Sequence, residues 1–124
     1  MLKKFRTILA VSLLVAVLAG CSAEPAAVID PEAIAASLST SPAPASAGEA
    51  VELTVNVTGA EGAATEVTID VRVDEEPKLI ATKSMGDNSY AGAFTFPKAG
   101  NYDVFLHLYV DDLHLTKKTQ VEIR

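Results

Sequence analysis

The sequence predicts an all-β fold, an immunoglobulin-like antiparallel β-sandwich of about seven strands. Three observations support this prediction. Apolar and polar residues alternate in several short runs, turn residues such as Gly, Pro, Asn and Asp separate these runs, and beyond residue 21 no segment longer than a turn has helical periodicity. Short alternating strands at this spacing, in roughly 100 residues, are typical of two packed antiparallel sheets.

An export signal precedes the predicted sandwich. A basic start is followed by an apolar run of 11 residues from Ile8 to Leu18, and then by small residues up to Cys21. This order is typical of a secretory signal peptide. Because about 20 apolar residues are needed to cross a membrane as a helix, we expect residues 1–20 to be a cleaved lipoprotein signal peptide and not a transmembrane helix.

The sequence Leu18-Ala19-Gly20-Cys21 resembles the lipobox of bacterial lipoproteins. The resemblance implies that diacylglycerol is attached to the sulfur of Cys21, which becomes the mature N-terminus. We therefore expect a protein anchored to the cell membrane and facing the extracytoplasmic side. An ordinary secretory signal is the alternative. Ser22, and not Asp, follows the cysteine, and which membrane holds the anchor stays open.

Composition excludes several classes of function. Cys21 is the only cysteine, so the chain can form no internal disulfide. Cleavage of residues 1–20 removes three basic residues and no acidic ones, which changes the net charge from -6 to -9. Such a surface repels nucleic acid, and we expect no nucleic-acid partner. We also expect no enzyme, because the sequence has no Gly-x-Ser-x-Gly, His-Glu-x-x-His or phosphate-loop motif.

The mature chain divides into a tether and one domain. Residues 21–31 are small, polar or proline-bearing, which is typical of a flexible tether. A second proline-bearing stretch, residues 39–47, either extends this tether or borders an edge strand formed by residues 34–38. We favour the second interpretation and place the domain at residues 32–124.

The strongest strand signals come next along the chain. Residues 51–57 and 67–73 alternate strictly, and a glycine-bearing loop separates them. The rest of the domain is predicted as a turn at 74–77, a strand at 78–83, a turn at 84–88, and strands at 90–96, 102–110 and 113–123. Tyr102 begins the penultimate strand, where immunoglobulin-like folds carry a tyrosine corner. The chain has no Trp and no cysteine pair, which excludes an antibody-type domain.

Alternation also predicts which side chains of the last two strands face outward. Phe105, His107 and Tyr109 lie on the outer face of the penultimate strand. If a two-residue turn follows that strand, His114 lies opposite Tyr109 and becomes a diagonal neighbour of His107. The two histidines of the chain are therefore expected on one face.

Two adjacent imidazoles suggest a metal site. With Asp111 or Asp112 they offer nitrogen and oxygen ligands of the type that Cu(II) accepts, and Met85 offers a thioether suited to Cu(I). The alternative is that both His107 and His114 are ordinary solvated strand residues.

A second cluster is acidic. Asp70, Asp74, Glu75 and Glu76 lie close together in the sequence, but they lack the ligand spacing of a calcium loop. We interpret this cluster as a solvated turn.

From Glu32 to its end the chain resembles the YtkA-like family of small extracytoplasmic β-sandwich domains, relatives of the FixH group. The resemblance rests on residues 38–48 with 51–55, on residues 88–90 with the block Phe96-Pro97-Lys98-Ala99-Gly100-Asn101-Tyr102, and on the pair His107 and His114. It implies membrane anchoring and a link to copper handling outside the cytoplasm. Leu113 departs from the family pattern, in which a Met commonly precedes the second histidine.

Two functions follow as hypotheses. The first is a membrane-tethered interaction domain that contacts another extracytoplasmic protein through the outward aromatic residues Phe105 and Tyr109. The alternative is a copper-binding domain that uses His107 and His114 with Met85 or the hairpin aspartates.

Overall fold

The computed structural model describes residues 28–124. The predicted signal peptide, Cys21 and most of the predicted tether therefore lie outside the described residues. Within the described part of the chain, no helix has the length and apolar character needed to span a membrane.

A short 3-10 helix, Pro31–Ala33, precedes eight strands. Asp30 caps this helix by accepting a hydrogen bond from the Glu32 N–H at 3.0 Å. The strands are β1 (Ala35–Ser41), β2 (Ala50–Thr58), β3 (Thr65–Val73), β4 (Glu76–Ala81), β5 (Lys83–Gly86), β6 (Ser89–Thr95), β7 (Gly100–Val110) and β8 (Leu113–Ile123).

The strands form two four-stranded antiparallel sheets, with the orders β1-β2-β6-β5 and β4-β3-β7-β8. In an immunoglobulin constant-type sandwich the corresponding orders are A-B-E-D and C-F-G, so β4 is an additional strand beside the C position. The predicted all-β sandwich is confirmed, and it has eight strands where about seven were expected.

Period-two alternation explains the core. In β2 and β7 every second side chain points between the sheets and is buried, as strands with one solvated face require. Burial of each such Val or Leu side chain contributes about 1.5–3 kcal/mol. The largest fully buried side chains are Ile34, Val51, Leu53, Val55, Ile69, Val71, Phe96, Val104, Leu106, Leu108 and Val110.

Tyr102 forms the expected tyrosine corner. Its hydroxyl donates to the carbonyl of Lys98 and accepts from the Lys98 N–H at 3.3 Å. Its ring packs on Phe96, with ring centroids 4.8 Å apart. The buried phenol is therefore satisfied by the backbone that connects β6 to β7.

The β4–β5 region differs from the prediction. A strand at 78–83 and a turn at 84–88 were expected, but β4 ends at Ala81 and the chain crosses to the other sheet, where β5 begins at Lys83. Asp74 and Glu75 both have positive φ, 50° and 68°. These angles make a two-residue hairpin turn, so β4 begins at Glu76, two residues earlier than the expected position 78.

The stretch 39–47 belongs to the sandwich and not to the tether. β1 continues to Ser41, and Ala45 is buried and forms a parallel bridge with Ile123. The expected edge strand is confirmed: β1 lies at the edge of its sheet and pairs with β2.

One end of the sandwich, here called the hairpin end, contains the loop 59–64 and the turns 87–88 and 111–112. Two backbone hydrogen bonds, both of 2.9 Å, join these segments: the N–H of Val57 donates to the Asn88 carbonyl, and the N–H of Asp111 donates to the Ala64 carbonyl. The N-terminal segment starts at this end, since β1 begins with Ala35 opposite Thr58.

Candidate functional site

The outward residues of β3, β7 and β8 form one surface of the second sheet, here called the histidine face. In the β7–β8 hairpin His107 pairs with Thr116, and Tyr109 pairs with His114. The two-residue turn produces the expected register, and the two histidines are diagonal neighbours on one face.

The two imidazoles are in contact. Nδ1 of His107 lies 3.3 Å from Nε2 of His114, and the hydroxyl of Thr116 lies 3.4 Å from the same Nδ1. The Tyr109 ring stacks on His114 with centroids 4.3 Å apart and planes inclined by 14°. The stacked Tyr109 ring holds the orientation of the His114 imidazole. The His107 imidazole is held at the opposite edge of its own ring, through Nε2.

That opposite edge contacts Asp70, which is only 2% exposed. Oδ2 of Asp70 lies 3.3 Å from Nε2 of His107. Arg72, two residues along β3 and on the same face, donates to both carboxylate oxygens, from Nε at 3.0 Å and from Nη2 at 2.8 Å. The result is a continuous chain from Arg72 through Asp70 and His107 to His114.

Electrostatics determines where the hydrogen atoms lie in this chain. Burial is the largest influence on the pKa of Asp70 and raises it, but the hydrogen bonds and charges of Arg72 and His107 together outweigh burial and hold that pKa below its usual value. The hydrogen bond to Asp70 raises the pKa of Arg72. Asp70 is thus an ionised carboxylate, which only accepts, so Nε2 of His107 carries the hydrogen. In the neutral ring Nδ1 is then an acceptor facing His114.

The prediction of a solvated acidic cluster is wrong for Asp70. It lies within β3 opposite Phe105, and not in the turn that holds Asp74 and Glu75. Alternation places Asp70 on the outer face. Its burial on that face depends on the neighbouring strands, which alternation does not predict. The available signal was the Asp-x-Arg spacing, which puts opposite charges on one face of a strand.

The structure brings together only two of the predicted metal ligands. Met85 lies in β5 of the other sheet and is 63% exposed. Asp111 uses its carboxylate to accept from the Ala64 N–H at 3.0 Å, which stabilises the loop 59–64. Across residues 28–124, no group of three or more His, Cys, Asp and Glu side chains is arranged to hold a metal ion. Asp70 lies behind His107, on the far edge of its ring.

The two predicted contact aromatics differ in their surroundings. The Phe105 ring lies between two cations, with the guanidinium carbon of Arg72 at 4.7 Å and Nζ of Lys118 at 5.8 Å from its centroid. Tyr109 is 41% exposed beside His114. Of this pair, Tyr109 offers the more open surface next to the imidazoles.

The histidine face is an open sheet surface and not a cleft. A groove of about 390 Å³ lies where β4 leaves the second sheet, and neither histidine lines it. Its walls are mainly hydroxyl-bearing and small side chains: Thr65, Glu66, Val67, Thr68, Ala81, Thr82, Ser84 and Tyr90.

On this face, the paired imidazoles with the buried carboxylate behind them are thus the groups best placed to bind a ligand through nitrogen. Comparison with known proteins found no matching family model and no matching curated protein, so function rests on the side chains themselves.

Proposed function

We propose that this chain is a lipid-anchored extracytoplasmic domain that binds copper through Nδ1 of His107 and Nε2 of His114. The observation that supports metal binding is the 3.3 Å separation of these two nitrogens on an exposed sheet face. The anchor and the location rest on the export signal ending at Cys21 and on the resemblance to YtkA-like domains.

The separation of the nitrogens suits a shared metal ion. Imidazole nitrogens bind transition metals at about 2.0–2.1 Å, so two of them on one ion in a tetrahedral or square arrangement are about 2.9–3.4 Å apart. The observed 3.3 Å falls within this range. A point midway between the two nitrogens is too close to each for such a bond, so a shared ion lies off the line that joins them. Both rings turn toward the ion while their nitrogens keep this separation.

The donor set favours Cu(II) over Cu(I). Imidazole is a good ligand for Cu(II), which heads the affinity order of the divalent first-row ions. A linear two-coordinate Cu(I) would hold its donors about 4 Å apart if each bond is near 2 Å. Cu(I) also prefers thioethers, and Met85 lies on the other sheet.

Two protein nitrogens leave coordination positions open. In an exposed site, water or a donor from another protein fills these positions, which suits exchange of the ion more than permanent storage. We therefore combine the copper site with the interaction hypothesis: another extracytoplasmic protein docks beside Tyr109 to deliver or receive the ion. The exposed ring of Tyr109 beside His114 supports this choice of surface.

Titration of Cu(II) into the mature protein tests the proposal. Residues 21–124 carrying Cys21→Ser leave no thiol to compete for the metal. We expect one ion per chain, nitrogen couplings in the electron paramagnetic resonance spectrum, and a loss of affinity of at least about tenfold in His107→Ala and in His114→Ala. Gln120→Ala, on the same face of β8 but paired with Asp103, is the matched control. Unchanged affinity in the double histidine variant would disprove the copper site.

A further inference from the structure

We infer that Asp70, held by Arg72, is a positioning residue that keeps His107 in its Nε2–H tautomer and directs Nδ1 toward His114. This inference deepens the proposed copper site and rests on it. It assigns a purpose to a carboxylate that is buried on an otherwise solvated face, although the side chain of its partner Arg72 is 37% exposed.

Asp70 has little freedom to move. Both of its oxygens accept from the two-pronged guanidinium of Arg72, and Oδ2 also contacts Nε2 of His107. The guanidinium itself lies over the Phe105 ring. A bidentate pair fixes the plane of the carboxylate, so the direction in which Asp70 accepts from His107 is fixed as well.

The contact with Asp70 also selects the ring orientation of His107. A half-turn of the imidazole would place Cε1 against the carboxylate and Cδ2 against His114, and both nitrogen contacts would be lost. The alternative tautomer would place a lone pair against an ionised carboxylate. Only one orientation and one tautomer satisfy both neighbours, and this combination leaves the Nδ1 lone pair free for a metal ion.

Stability alone explains this ion pair poorly. Removing the Asp70 charge from water offsets much of its attraction to Arg72, whose side chain stays partly exposed, so such a pair commonly adds little to the stability of a fold. A carboxylate behind a histidine ligand, in contrast, orients the ring and raises its basicity, and its loss weakens metal binding by about 10- to 100-fold. Asp70 occupies the place of such an outer partner of His107.

Nuclear magnetic resonance of the metal-free protein tests the tautomer directly. In the neutral ring of His107, nitrogen–proton correlations are expected to show the Nε2–H tautomer. Asp70→Asn should populate both tautomers, because an amide can present a donor where the carboxylate accepts. Asp103→Asn removes an equal charge from the same face and should leave the pattern unchanged. A wild-type Nδ1–H tautomer, or no change in Asp70→Asn, would overturn the inference.

Copper affinity provides the second measurement. We expect Asp70→Asn to bind Cu(II) about 10- to 100-fold more weakly than the wild type, and Asp103→Asn to stay within about twofold. Arg72→Lys keeps the charge but loses the bidentate contact, so an intermediate loss is expected. This variant serves as the test if Asp70→Asn does not fold. Binding that depends on the histidines but not on Asp70 or Arg72 would overturn this inference alone, whereas histidine-independent binding would overturn the copper site.

Discussion

Asp70 combines three features on one sheet face: a bidentate contact with an arginine, a contact with an imidazole, and burial. The residue is 2% exposed, although Leu79 opposite it on β4 is 67% exposed. Burial of a charge is tolerated only when the charge is paired and hydrogen-bonded. Arg72 and His107 meet that condition, and they explain why the carboxylate stays ionised inside the face.

This ionisation predicts a pH-dependent stability. The pKa of Asp70 is lower in the folded protein than in the unfolded chain, where it is about 3.9. The carboxylate therefore stabilises the fold above about pH 4, and this contribution disappears as the pH falls through the native pKa. We expect the unfolding free energy of the wild type to fall more steeply below about pH 4 than that of Asp70→Asn.

Urea unfolding between pH 2.5 and 7 measures this difference. At pH 7 Asp70→Asn should be less stable by about 1–3 kcal/mol, because Arg72 and His107 lose a charged acceptor. Asp103→Asn, whose carboxylate is exposed, is the control. Parallel pH curves for the wild type and Asp70→Asn would contradict the prediction.

At the scale of elements, the crossing between β4 and β5 shapes one side of the sandwich. The chain leaves one sheet after Ala81 and enters the other at Lys83, and the Thr82 hydroxyl donates to the Val67 carbonyl at 2.6 Å. This hydrogen bond satisfies a carbonyl of β3 beyond the end of its pairing with β4. The crossing also brings β6 close to the end of β4, with Gly92 at the contact.

Gly92→Ala is expected to destabilise the fold. Gly92 faces Leu53 across the β2–β6 pair, and an added Cβ would lie 2.7 Å from Cγ2 of Ile80 and 2.9 Å from the Ala81 carbonyl oxygen. Backbone cannot yield as a side-chain tip can, so we expect a loss of about 1–3 kcal/mol in urea unfolding. Ala93→Ser, at the exposed neighbouring position, should change stability by less than about 0.5 kcal/mol. An unaffected Gly92→Ala variant would mean that β4 and β6 do not approach so closely.

At the scale of the whole molecule, the hairpin end is also the end from which the N-terminal segment leaves. The carbonyl of Ala33 lies against Gly59, where an added Cβ would be 2.2 Å from its oxygen. From Asp30 back to Cys21 the chain can span at most about 30 Å. If Cys21 carries the lipid, as we propose, the loop 59–64 and the turn 111–112 therefore lie nearer the membrane than the opposite end.

Vesicles that contain a paramagnetic lipid test this orientation. In the lipidated protein we expect stronger broadening of the amide signals of residues 59–64 and 111–112 than of residues 74–75 and 97–99 at the opposite end. The Cys21→Ser protein, which lacks the anchor, provides the control and should show no such difference. Equal broadening at both ends of the anchored protein would contradict the orientation.

Local pattern was sufficient for much of the fold and part of the site. Alternation with a period of two is a property of each strand by itself, so it correctly predicts the sandwich and the outward position of His107. The short turn after β7 was enough to predict that His114 is its diagonal neighbour, because a two-residue turn sets the register of a hairpin. The tyrosine corner at Tyr102 was likewise predicted from its place at the start of the penultimate strand.

Only the tertiary structure decided the features that depend on strands distant in the sequence. Asp70 and His107 are 37 residues apart and meet because β3 and β7 pair. Met85 lies on the other sheet because the chain crosses after Ala81, and no local pattern marks that crossing. Alternation specifies which face a side chain occupies, but burial and pairing on that face depend on which strands become neighbours. The histidine pair was therefore evident from the sequence, and the buried carboxylate behind it was not.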